Sequence, residues 1–273
     1  AVTCRESALR YNPNGYTSFN TSSGLPKMLW FARNFPREME NLYKFIHAAD
    51  FITGQLCGRF DVTDWTSALK SGYDVRQGCW PAYIWQQLGI QREWLPEAVP
   101  SGTPLGKILP ELAASLRLPP ETAIVAGMTD GCASQIAAGA VNPGDWNTTI
   151  GTTLVIKGVT VKEISDPNGV LYCHRHPEGF WMPGGASNTG ADWVTKRFPG
   201  SLASLEQQVM SIIPTPHLSW PLLQPGERFP FKAPQAQGFE PEGLSPAESF
   251  AAGMEGVAYI ERYAYEMIRQ LSG

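Results

Sequence analysis

An α/β or α+β fold is what this sequence predicts, on three observations. Short apolar runs of strand length alternate with stretches of helical spacing along the chain. The texture changes at "TAIVAGM", where helix-rich sequence gives way to strand patterns and tight turns, with a seam near Asn142–Asp145. The length of 273 residues suits one large domain or two smaller ones, and 43% hydrophobic residues are enough to build a core.

The elements follow in order. Residues 1–26 are rich in Asn, Ser, Thr, Gly and Pro and predict loop. "PKMLWFARNF" predicts a helix with Pro26 near its start, where a missing N–H costs little. "PREMENLYKFIHAADFITGQLCG" predicts a second helix on the spacing of Met39, Leu42, Phe45, Ile46 and Ala49, punctuated by Gly54 and Gly58. "TDWTSALKSGYD" reads as polar loop, with Asp61 and Asp64 in a solvated turn. "CWPAYIWQQLGI" is a short amphipathic helix, "LPEAVPSGTPLGKI" is extended, and "LPELAASLRLPP" is a helix stopped by Pro119 and Pro120. "TAIVAGM" predicts a buried strand, "TDGCASQIAAGAV" a helix of small residues, and "NPGDWNTTIGTTLVIKGVTV" two strands turning at Gly151. "GVLYCHRHPEGFWMPGGAS" predicts a hairpin turning at Pro177–Gly179. "NTGADWVTKRF" and "SLASLEQQVMSII" are helical, and residues 214–246 form a Pro-rich insert. One long helix closes the chain, with Ser245 and Glu248 spaced as a capping box.

Charge and cysteine usage narrow the function. The net charge is −4 with no Lys/Arg run, which argues against nucleic acid. The apolar runs fall short of the roughly 20 residues of a membrane helix, and no secretory signal opens the chain. Cys4, Cys57, Cys79, Cys132 and Cys173 are odd in number, widely spaced and without a C-x-x-C pair, as in reduced cytoplasmic proteins. In "CHRH" an alternating strand would turn Cys173 away from His174 and His176, which reads against a metal site. Ser187 and Cys132 lack a G-x-S-x-G elbow and any triad logic.

Three clusters carry candidate chemistry. Asp130 stands where an apolar run opens into a helix rich in Ala, Gly and Ser. An Asp there can simply cap the helix, but small neighbours also permit close approach by a ligand. "GTT", Gly151–Thr153, places backbone N–H groups and two hydroxyls at a turn, a plausible phosphate cradle and also a common turn. "GGASNTGADWV", Gly184–Val194, has three glycines at a helix start and suits either a nucleotide or tight packing. A carboxylate with a phosphate cradle is what phosphoryl transfer needs: a base for the acceptor and donors for the moving group.

Taken in order, these segments resemble the FGGY carbohydrate kinases. The P-K-x-x-W helix, "TDWTSA", the "LPEAVPSGTPLGKI" connector, "VAGMTDGCASQIAAGAVNPGDWNTTIGTT" and the "PGGASNTGADWV" loop carry the resemblance. It implies an actin-like, ribonuclease-H-type fold of two domains. Residues 1–143 would be the later part of the sugar-binding N-terminal domain, and 144–273 the earlier part of the nucleotide-binding domain. It implies ATP with Mg²⁺ and an Asp general base: Asp130 as catalytic and substrate-binding residue, with Gly151, Thr152, Thr153, Gly185, Asn188 and Gly190 meeting ATP, and no side chain assigned to the metal. Within the family, "HRHPEGFWMPGGASNTG" and "GERFPF" look most like pentulose kinases, D-ribulose first and D-xylulose second. Gly131 stands where glycerol kinases commonly place an amide, which disfavours glycerol. A second copy of the chain is a candidate partner.

The resemblance covers the middle of such a kinase only. The D-x-G-T loop that opens the family and the Gly-rich adenosine segment that closes it are not in this sequence, so a partial chain with little activity of its own is expected. The rival reading is a carbohydrate-binding or regulatory remnant without phosphoryl transfer.

Overall fold

The computed structural model describes residues 1–200 and 202–272, which form two compact α/β units. The first comprises Ala1–Ser134 with His174–Phe180, the second Gln135–Cys173 with Trp181–Gly273.

In the first unit the polar opening of the chain is not all loop. Val2–Tyr11 is helix α1, because Cys4 and Ala8, one turn apart, are both fully buried. Helix α2 (Gly24–Asn34) buries Leu25, Met28 and Leu29 at helical spacing. These side chains share a core with Phe19, Ile84 and Ile90.

The single helix predicted from residue 36 onward is broken. After α3 (Pro36–Met39) the chain leaves helical geometry. Tertiary contacts outweigh the local spacing there: Phe45 N–H donates to the Trp94 carbonyl at 2.8 Å, and Lys44 Nζ donates to the carbonyls of Glu93 and Leu95 at 2.6 and 3.0 Å. Helix α4 (Ala48–Cys57) restarts at a capping box in which Asp50 Oδ2 accepts from His47 N–H at 2.8 Å.

Strand β1 (Val62–Asp64) runs parallel to β2 (Glu97–Val99), with α5 (Trp65–Ala68) following β1 and α6 (Tyr83–Gln86) between the two strands. Strands β3 (Pro104–Lys107) and β4 (Ala123–Val125) flank α7 (Pro110–Leu116) and pair antiparallel. The strand expected to be buried is β4, yet Ala123 and Val125 are exposed, since β4 belongs to a two-stranded ribbon. Helix α8 (Asp130–Ala137) follows.

The second unit holds β5 (Trp146–Ile150), β6 (Leu154–Gly158), β8 (Trp181–Ser187) and the start of β7 (Tyr172–Arg175), strands in the order β5-β6-β8-β7. Strand β6 is antiparallel to both β5 and β8. Helices α9 (Asp192–Arg197), α10 (Leu202–Val209) and α11 (Pro246–Ser272) complete it; the start expected for α10 at Ser201 lies outside the described residues. The capping box of α11 forms, with Ser245 N–H donating to Glu248 Oε2 at 2.9 Å and Glu248 N–H to Ser245 Oγ at 3.3 Å. Its buried face includes Phe250, Ala251, Val257, Ala264 and Ile268. Trp193 sits directly on Gly253, where a Cβ would lie 2.6 Å from the indole.

Far along α11, Tyr265 meets Trp146 edge to face at 6.1 Å, and its hydroxyl lies 2.9 Å from Thr148 Oγ1. The Pro-rich stretch 214–246 is ordered by two backbone bridges, Trp220 with Phe239 and Glu227 with Ala233, and it buries Leu222 and Phe229. Among the described residues no disulfide forms, and no helix is long and apolar enough to cross a membrane.

Candidate functional site

Asp130 is the first residue of α8 and is exposed. Its Oδ1 accepts from the adjacent Gly131 N–H at 2.7 Å. The helix-initiating carbonyl belongs to Thr129, which accepts from Cys132 and Ala133 N–H, both at 2.9 Å. Asp130 is therefore not spent on the distant N–H groups that a capping Asp would satisfy. Its carboxylate borders a pocket of about 860 Å³ lined also by Ser22, Lys27, Lys44, His47, Ser67 and Lys70. Among these, His47 is fixed on both sides. Its Nδ1 lies 3.1 Å from Asp50 Oδ2 and from Thr63 Oγ1, and its Nε2 lies 2.9 Å from Ser71 Oγ. A carboxylate only accepts, so Nδ1 carries a proton toward Asp50.

The start of α8 is held by a residue the sequence reading passed over. Asp64, expected in a solvated turn, is 1% exposed. It caps α5, with Oδ1 accepting from Thr66 N–H at 2.7 Å, Ser67 N–H at 3.1 Å and the Thr66 hydroxyl at 2.5 Å. Thr66 Oγ1 in turn accepts from Thr129 N–H at 2.8 Å. A buried cap thus reaches, through one hydroxyl, the residue before Asp130. The signal was present in "TDWTSA": an Asp directly before a short run able to turn helical is an N-cap candidate. Asp61, by contrast, is half-exposed and paired with Arg59 Nε at 3.2 Å.

In the second unit Gly151–Thr153 form the three-residue turn between β5 and β6, closed by Gly151 N–H donating to the Thr153 carbonyl at 3.0 Å. Gly151 and Thr152 are exposed, and a Cβ built on Gly151 would meet nothing within 4 Å. Gly190 packs against this turn. A Cβ on Gly190 would lie 2.4 Å from the Thr152 carbonyl oxygen and 2.5 Å from that of Gly151. Ala191 N–H donates to the Gly151 carbonyl at 2.7 Å. The structure therefore brings together the turn and the end of the glycine loop, which the sequence presents 37 positions apart (Thr153 to Gly190).

Gly185 lies inside β8 with its missing side chain replaced by the Phe229 ring, 2.2 Å from where a Cβ would stand. Asn188 is exposed, its Nδ2 donating to the Gly226 carbonyl at 2.9 Å. Beneath the loop lies a second missed residue, Glu227, 3% exposed. Its Oε2 accepts from Ser187 Oγ at 2.7 Å and Thr189 Oγ1 at 2.9 Å; its Oε1 accepts from the N–H groups of Asn188 and Arg228, both at 2.8 Å. No group of three or more His, Cys, Asp or Glu side chains among the described residues is placed to hold a metal ion.

Residues 8–137 match the FGGY family of carbohydrate kinases, N-terminal domain. The chain is 27% identical over 189 residues to a gluconokinase of Bacillus licheniformis, covering 68% of this chain and 37% of that protein. It is 27% identical over 252 residues to a xylulose kinase of Escherichia coli, covering 86% of this chain and 50% of the relative. The chain thus spans half or less of the length of these two curated relatives. Among solved structures, a xylulose kinase from Rhodospirillum rubrum superposes with a TM-score of 0.78 at 25% identity, over 92% of this chain and 53% of that one. The architecture is accordingly that of the actin-like ATPase fold shared by these sugar kinases. Over residues 8–137, just under half of its length, the chain is similar to the N-terminal domain of the FGGY family of carbohydrate kinases.

Proposed function

We propose that this chain serves ATP-dependent phosphorylation of a sugar hydroxyl. The acceptor is a pentulose, D-ribulose first and D-xylulose second. The observation that carries the reading is the exposed carboxylate of Asp130 at the head of α8, bordering a pocket whose lysines and serines suit a polyhydroxylated ligand. Asp130 is the base: it accepts the proton of the attacking hydroxyl. The Asp64–Thr66–Thr129 chain keeps the start of α8, and with it the carboxylate, in place. Positioning and charge neutralisation dominate phosphoryl transfer, so one oriented carboxylate suffices and no covalent nucleophile is needed.

In the second unit Gly151, Thr152 and Thr153 offer exposed backbone and hydroxyls to phosphate oxygens, and the open space beside Gly151 fits such an approach. Gly185, Asn188 and Gly190 belong to the loop that backs the turn. ATP supplies the transferred phosphoryl group. Mg²⁺ would accompany it, held chiefly by phosphate and water oxygens. The sugar-binding role falls to residues 1–143 and the nucleotide-binding role to 144–273.

The test measures ATP turnover by the protein as its gene encodes it, with D-ribulose, D-xylulose and gluconate side by side. Asp130→Asn should lower kcat by about 10²–10⁴, the range for a general base, while sugar binding persists. Wild-type turnover by Asp130→Asn would overturn the assignment. Sugar binding by the unaltered protein with no ATP turnover would favour a carbohydrate-binding protein instead.

A further inference from the structure

We infer that Glu227 is a positioning residue for the nucleotide: a buried carboxylate that sets the shape of the Ser187–Gly190 loop and, through it, of the Gly151–Thr153 turn. The inference rests on the reading that this turn meets ATP.

Glu227 is 3% exposed, and its carboxylate is held by hydrogen bonds. Both hydroxyls of the loop, Ser187 Oγ and Thr189 Oγ1, converge on Oε2, while the backbone N–H of Asn188 between them reaches Oε1. Arg228 N–H at 2.8 Å and Phe229 N–H at 3.4 Å also point to Oε1. Three consecutive loop residues are thus tied to one side chain. The carboxylate is itself held in place, since Glu227 exchanges backbone hydrogen bonds with Ala233, both at 2.9 Å.

The loop is braced further. Thr189 N–H donates to Ser187 Oγ at 2.9 Å, and Trp220 Nε1 donates to Thr189 Oγ1 at 2.7 Å. The next residue, Gly190, touches the carbonyls of Gly151 and Thr152, and Ala191 N–H binds the Gly151 carbonyl. The path from Glu227 to the turn therefore runs through four successive residues with no gap. A carboxylate suits this task where an amide would not. It only accepts, so every donor aimed at it keeps one orientation, and charged hydrogen bonds are about twice as strong as neutral ones. Near a phosphate subsite its negative charge would be unfavourable unless it were screened, and five donors at one buried group provide that screening.

The experiment compares Glu227→Gln with the unaltered protein, each in the form its gene encodes. Binding of ADP is measured by titration calorimetry, and KM for ATP, KM for sugar and kcat by steady-state assay. Glu227→Gln should weaken ADP binding and raise KM for ATP by about tenfold, the difference between a charged and a neutral network. KM for sugar should stay within about twofold, because the sugar pocket is lined by other residues. A purely structural role would lower the folded fraction without splitting the two KM values. Should Glu227→Gln fold poorly, Ser187→Ala removes one donor while leaving the carboxylate, and should raise KM for ATP selectively by a smaller factor. Unchanged ADP binding in both variants, with the unaltered protein binding ADP normally, overturns this inference and leaves the nucleotide reading standing. An unaltered protein that binds no ADP overturns both.

Discussion

Gly190→Ala is a steric test of the contact between loop and turn. The added Cβ would stand 2.4 Å from the Thr152 carbonyl oxygen and 2.5 Å from the Gly151 carbonyl oxygen. Both are backbone atoms, so no side chain can swing aside. Carbon contacts under about 3.0 Å are essentially never seen, so loop and turn must part by roughly 0.6 Å, the difference between 3.0 and 2.4. The same displacement would stretch the Ala191 N–Gly151 O bond from 2.7 Å to about 3.3 Å, near the limit of a useful hydrogen bond. Overpacking costs about 1–3 kcal/mol and a weakened hydrogen bond about 1 kcal/mol more. Reduced freedom of the unfolded chain returns about 0.4–1 kcal/mol. The net is about 1–3.6 kcal/mol, or roughly 2–14 °C in Tm.

Gly151→Ala is the control. Its Cβ meets nothing within 4 Å, so stability should change by no more than about 0.5 kcal/mol, while ADP binding weakens if the turn receives phosphates. Urea unfolding followed by tryptophan fluorescence reads stability, and calorimetry reads binding. Equal, negligible stability changes in both variants would refute the contact argument.

Two further outcomes are expected. Thr66→Val removes the hydroxyl between Asp64 and Thr129, so it should cost about 2 kcal/mol in urea unfolding; it should also lower kcat with little change in KM for sugar, and an unaltered kcat would separate the cap from the base. Burial holds the His176 imidazole below its ordinary value of 6.5, with Glu178 opposing, and Nδ1 accepts from Glu178 N–H at 3.2 Å. Above pH 6.5 the ring is neutral folded and unfolded; as the pH falls below 6.5 the unfolded chain takes the proton more readily, so stability declines until the lower folded value is reached. His176→Gln should flatten that decline, and identical slopes for the two proteins would count against it.

Local signals carried much of the fold. The capping box of Ser245 and Glu248, the turn at Gly151 and the hairpin at Pro177–Gly179 each depend on a few adjacent residues, and each can be read from them. Where distant partners decide, the spacing misleads. Helical periodicity runs through Leu42–Ile46, but the backbone there bonds to Trp94. Helix α1 hides in polar sequence because only Cys4 and Ala8 mark its buried face. The same division holds at the candidate site. Asp130 and the glycine-rich turns stand out as short patterns. Glu227 lies in "GERFPF", an ordinary polar turn by composition, and its partners are 38–40 residues away.

The pairing of Tyr265 with Trp146 and Thr148 constrains the birth of the protein. The Thr148–Tyr265 bond closes a loop of 117 residues. Ribosomes add about 5–20 residues per second, so roughly 6–23 s separate the synthesis of the two partners. Throughout that interval the hairpin of β5 and β6 exists without the helix that later covers it. Leu154 and Ile156, fully buried in the finished unit, then face solvent or a chaperone. Burial of this sheet's face under α11 is therefore a late event on the nascent chain, timed by when α11 is made.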